Sequence, residues 1–166
     1  MRTPTTISDH PIHPMLVVFP QGLWYFSLAC QVIAMFATDP STWLTVAYYC
    51  AGGGVIGAIL AAIPGFIDLF SMNDRRIKNI GITHMVLNLS GLVVWVLIWY
   101  LLAPERRADN SGLALLLSIA VSIVLFYSAW LGGHRVLRNR VTVRENYEPV
   151  RTPADQVRTV NNRRNQ

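Results

Sequence analysis

Four apolar runs, each about 20 residues or longer, decide what this chain can become, because a helix of that length crosses a hydrocarbon core of about 30 Å. They cover residues 14–37, 43–69, 81–103 and 113–131. A water-soluble domain usually interrupts its apolar segments every 10 to 15 residues or so. This chain does not, and 52% of its residues are hydrophobic against 14% charged. Inside a bilayer the backbone must satisfy its own hydrogen bonds, so each run reads as a helix. The links are short, and neighbours joined by short links run antiparallel. The expected fold is therefore all-α: an integral membrane four-helix bundle running up-down-up-down.

Charge supplies the orientation. Four spans put the N-terminus, the link between the second and third helices and the C-terminal tail on one side. That side holds Arg2, Arg75, Arg76, Lys78 and every basic residue from Arg135 onward, while the other has Arg106 and Arg107. The positive-inside rule then places both termini in the cytoplasm. The net charge of +5 flanks the apolar runs without any base-reading motif, so the expected partner is the lipid bilayer and not nucleic acid. Residues 1–9 read as a polar tail, and residues 135–166 as a basic, solvent-facing tail without a helical stripe. The first run lacks the basic leader of a cleavable signal. Cys30 and Cys50 sit inside apolar runs without C-x-x-C spacing and read as small core residues.

Polar groups inside a bilayer are costly, so the few that occur are the candidates for function. The chain opens with His10-Pro11-Ile12-His13-Pro14, where Pro14 suits a first helical position and His13 its cap. His84 lies a turn inside the third helix, and Asn88, Gly91 and Trp95 continue its face at helical spacing. His134 follows Gly132-Gly133 at the end of the fourth helix, and Asp68 closes the second. All of these fall on the side assigned to the cytoplasm. The first helix adds a stripe of His13, Val17, Pro20, Trp24, Ser27 and Gln31. The second carries Gly53, Gly57, Ala61 and Gly65 four residues apart, a nearly bare face that a backbone or a flat cofactor can approach.

Each candidate has a plain structural explanation as well. His10 can be aqueous, His13 a cap, His84 and Asn88 an interhelical hydrogen-bond pair, and His134 a cation at the negative end of a helix dipole. Asp68 can pair with Arg75 or Arg76, or accept from a histidine and orient it. Taken together, the set suits a metal centre. Histidines on the diagonal helices 1 and 3 can clamp a b-type haem, with His13 or His10 on one face and His84 on the other. Gly57 and Ala61 would give room for the macrocycle, and Arg75, Arg76 or Arg135 would neutralise its propionates. Alternatively His13, His84, His134 and Asp68 would hold a transition-metal ion directly. There is no C-x-x-C-H, phosphate loop or H-E-x-x-H, which leaves an electron carrier a better reading than a complete enzyme. The contrasting reading is a non-catalytic accessory subunit, its small-residue face a packing seam and its basic tail a contact for a partner or for anionic headgroups. A transporter ranks lowest, since no repeat and no midplane charge is visible.

These residues resemble a family of bacterial four-helix membrane proteins classed as a domain of unknown function. The resemblance rests on the His-Pro-x-His-Pro opening at His10–Pro14, Gly65 to Asp68 as Gly-x-x-Asp, and His84 with Asn88 as His-x-x-x-Asn. Gly132-Gly133 after the fourth helix completes it, and the likeness covers about Asp9 to Val143. It implies a bacterial inner-membrane location. Relatives stand beside electron-transfer modules such as Rieske or cytochrome domains, so it also implies a redox setting and redox-protein partners. One segment departs. After Gly-Gly, relatives often carry an acidic residue and then Tyr-x-His-Gly, where this chain has His134, Leu137, Asn139 and Arg140.

Overall fold

The computed structural model describes residues 4–7, 10–71 and 75–139, with Pro11, Arg76, Ile77 and residues 131–139 as backbone alone. Four helices account for nearly all of it: α1 (Ile12–Ala34), α2 (Pro40–Phe70), α3 (Arg75–Leu101) and α4 (Arg107–Asn139). Each is long and apolar enough to cross a membrane. The helices alternate in direction and pack in the cyclic order α1, α2, α3, α4, with α1 against α2 the closest pair and α1 against α4 the loosest.

Local chemistry explains the ends. Asp39 caps α2 by accepting from Ser41 N and Thr42 N, and Pro40 occupies the first turn, where its missing N–H costs nothing. At the other end Ser71 N donates back to Ile67 O at 3.2 Å. Asp109 lies in the first turn of α4, where a carboxylate suits the positive end of the dipole.

Three expectations are corrected. The polar segments at residues 75–80 and 107–112 belong to α3 and α4 and are not loops, because helix termini continue past the hydrocarbon edge. α4 also runs through Gly132-Gly133 to Asn139, so His134 and Arg135 lie within a helix, where a tail was expected. Glycine lowers helix stability by about 1 kcal/mol relative to alanine without forbidding the helix. The N-terminal segment is not a free tail either. β1 (Thr6–Ile7) pairs antiparallel with β2 (His10–Pro11), and Ile12 N donates to Thr5 O at 3.1 Å. The segment beyond Asn139 lies outside the described residues.

The apolar core sits in the half of the bundle away from the histidines. It is built from Trp24, Cys30, Ala47, Ala51, Trp95, Ile98 and Leu102, with Ala114 and Leu125 from α4. Cys30 and Cys50 are free thiols. Outward side chains such as Phe19, Phe36, Tyr49 and Phe126 are apolar and exposed, as a surface that meets acyl chains must be. With no hydrophobic drive between helices in lipid, close packing and buried hydrogen bonds must hold them together.

Candidate functional site

The glycines of α2 set how near the other helices come. A β-carbon on Gly54 would collide with the Trp24 indole, and one on Gly65 would lie 2.7 Å from His13 Nδ1. At Gly57 it would meet Pro20 at 3.4 Å, and at Gly53 it would meet Leu23 at 3.3 Å. Gly52 faces the other neighbour, with a β-carbon 2.7 Å from Trp99 of α3. Three consecutive glycines thus serve two partners, because successive residues point about 100° apart round a helix. The room expected beside Gly57 and Ala61 is filled by Pro20 and His13.

This close seam delivers His13 to α2. Its Nδ1 lies 2.8 Å from Ala61 O, a carbonyl that can only accept, so Nδ1 carries the proton and donates. In the neutral ring this leaves Nε2 as the acceptor. Pro64, inside α2, has no N–H for Leu60 O, so the backbone ladder is interrupted next to the carbonyl that His13 uses.

His84 is held in a parallel way by α4. Its Nδ1 lies 3.1 Å from Ser128 O and 3.0 Å from Ser128 Oγ. A protonated Nδ1 donates to both oxygens, which makes this the same tautomer as that of His13. Asn88 Nδ2 donates to Ser128 Oγ at 2.8 Å and to His84 O at 2.7 Å, and it also lies 3.3 Å from His84 Nε2. The four side chains form one contact across the diagonal: the His13 and His84 rings meet edge-on, their centroids 6.5 Å apart and their planes at 87°. About three turns deeper, Trp24 and Trp95 stack across the same diagonal at 5.3 Å, parallel within 1°. Trp24 Nε1 donates to Ala51 O at 3.3 Å.

The other expected residues fall elsewhere. Asp68 is buried, and its Oδ1 accepts from Thr5 N at 3.1 Å and Thr5 Oγ1 at 2.6 Å, so the carboxylate anchors the N-terminal hairpin. His10 is in the hairpin and exposed, and Arg75 is exposed at the start of α3. The side chains of Arg76 and His134 lie outside the described residues. Among the described residues, no three His, Cys, Asp or Glu side chains gather as an ion site. Sequence reasoning passed over Ser128, although it stands ten residues after Ser118 and six after Ser122 on a helix already known to carry serines. It also passed over Thr5, for which a two-residue strand leaves no signal.

Set against known proteins, residues 9–145 match the model of a family described as predicted membrane protein (DUF2231). No curated protein and no solved structure matches the chain.

Proposed function

We propose, for a chain that belongs to the DUF2231 family of predicted membrane proteins, that His13 and His84 would hold a b-type haem. On this reading the protein carries electrons within or beside a redox complex of the bacterial inner membrane. The observation that supports it is the pair itself: two imidazoles from diagonal helices, ring centroids 6.5 Å apart, each with Nδ1 donating to a main-chain carbonyl of a neighbouring helix, α2 for His13 and α4 for His84. Such a bond fixes the ring and strengthens the opposite nitrogen as a ligand.

Ligand number favours a macrocycle over a bare ion. A structural ion such as zinc takes about four protein ligands, and two imidazoles alone do not supply them. A haem brings four equatorial nitrogens and asks the protein for the two axial ones. The α2 seam is filled by Pro20 and His13, so room for a flat group would have to come from the side where α1 packs least closely, against α4. When bound, haem would supply a one-electron couple. The chain's own residues orient the imidazoles through Ala61 O, Ser128 and Asn88, while the Trp24–Trp95 stack closes the bundle below them. Arg75 and Lys78 at this end, with the basic tail, support a cytoplasmic orientation for both termini.

The test is a reduced-minus-oxidised visible spectrum of natively isolated protein in mild detergent. Sharp six-coordinate b bands are expected, lost in both His13→Ala and His84→Ala while the helical circular dichroism remains. A flat spectrum from folded, wild-type protein defeats the assignment.

A second reading, a non-catalytic accessory subunit, is favoured by the seam: α1 side chains take up the small-residue stripe of α2, as a device for packing alone requires. It predicts that deleting the residues after Arg144 releases the chain from its complex. Continued co-purification counts against it.

A further inference from the structure

Between two satisfied polar layers lies one that the described residues do not satisfy. Toward the histidine end, His84, Asn88 and Ser128 bond one another. Toward the far end, Gln31 Nε2 donates to Ser118 Oγ at 2.9 Å and Ser27 Oγ donates to Ala47 O at 2.8 Å. Between them, Gln21 Oε1 of α1, Trp95 Nε1 of α3 and Ser122 Oγ of α4 are buried with no hydrogen-bond partner among the described residues. Trp95 is 0% exposed and Ser122 8%.

The helices bring the three to similar depth. Trp95 stacks on Trp24, and Gln21 is one turn from Trp24 along α1. Ser122 lies one turn from Ser118 and one turn from Leu125, whose side chain packs on Gly91, a turn from Trp95. The three side chains therefore share a band about two turns, roughly 10 Å, deep. Buried groups of this kind are almost always bonded, by protein or by ordered water.

Their chemistry limits the occupant. An indole N–H only donates, an amide oxygen only accepts, and a hydroxyl does both. A species serving all three must donate and accept, and it must be small. A quinone or a lipid ester offers acceptors alone and leaves Gln21 Oε1 unserved. We propose that this band is an internal hydration site, in which a small cluster of ordered water bonds Trp95 Nε1, Ser122 Oγ and Gln21 Oε1. The cluster joins the two satisfied layers into one polar column along the bundle axis. The proposal is independent of what the histidines hold.

The test uses the full chain in mild detergent, with the indole nitrogens labelled. The Trp95 Nε1 proton is expected to show a magnetisation-transfer peak to long-lived water, weakened by Ser122→Ala. In equilibrium unfolding, Ser122→Ala is expected to lower the folded-to-unfolded ratio about fivefold, the usual effect of losing one buried hydrogen bond. Its effect should depend on whether Trp95 is present, as read from Trp95→Phe and the double variant, since water is what couples the two groups. A Ser122→Ala that is neutral or stabilising, or an indole proton without a water contact, overturns the proposal.

Discussion

The two ends of the bundle use polar side chains in different ways. At the far end they finish helices. Asp39 caps α2, and Arg107 reaches back from α4 to Thr45 Oγ1 at 2.6 Å and Ser41 Oγ at 2.8 Å. Arg106 pairs with Glu105 and lies 4.3 Å over the Tyr100 ring. These groups are at or near the surface, where water can replace them. At the histidine end the polar groups enter the bundle, and His13 and His84 donate to carbonyls in the middle of neighbouring helices. Helix ends need capping; helix interiors do not. The bonds at the histidine end therefore fix lateral position and bring two imidazole rings into contact.

Several substitutions test that contrast. The largest effect is expected at the seam on which the histidine end depends. Gly54→Leu drives a side chain into Trp24 and should cost about 3 kcal/mol, the upper part of the usual range for overpacking, read as a fall in unfolding midpoint in detergent. Next comes the buried anchor. Asp68→Ala removes the acceptor of both Thr5 bonds and should cost about 2 kcal/mol, within the range for bonds to charged groups. It should also expose the segment around Thr5–Ile7 to protease, which intact-mass analysis would detect. Ser27→Ala gives up one buried bond to Ala47 O and should cost about 1 kcal/mol. By contrast, Arg107→Ala should cost less than about 1 kcal/mol, because one of its two contacts is exposed and water can replace both. A loss as large as that of Asp68→Ala would abolish the distinction between the ends.

The smallest expected effect is a pH dependence at the far end. The Thr42 hydroxyl and backbone N–H hold the Asp39 carboxyl below its ordinary range, with lesser help from Ser41 N and the charge on Arg107. A depressed folded-state value means the cap is fully present above the ordinary carboxylate range and is lost as pH falls below it. Amide protection in the first turn of α2, relative to the intrinsic exchange rate, should therefore fall more at acid pH than protection in the last turn does. Asp39→Asn should remove the difference.

Run length and the confinement of the bilayer were enough to read the four helices and their order from the chain alone. So was the spacing of His84 and Asn88, because both lie on one helix and helical geometry is fixed. The bare face of α2 was legible as a place of close approach. What approaches it was not, since the register of α1 against α2 follows from which side chain fits which glycine. Ser128 escaped for the same reason: its bond to His84 depends on how α3 and α4 slide past each other. Helix ends were misjudged wherever charge was taken to mean loop, as at Arg75 and Arg107. The hairpin was invisible because its hold on the bundle is one carboxylate and one threonine, with no apolar pattern behind it.

The parallel indoles of Trp24 and Trp95 also have an optical consequence. At 5.3 Å their excited states interact, so near-ultraviolet dichroism and emission change whenever the diagonal opens or closes. Any event at the histidines that spreads α1 from α3 is thereby reported by light from the protein itself, without an added label.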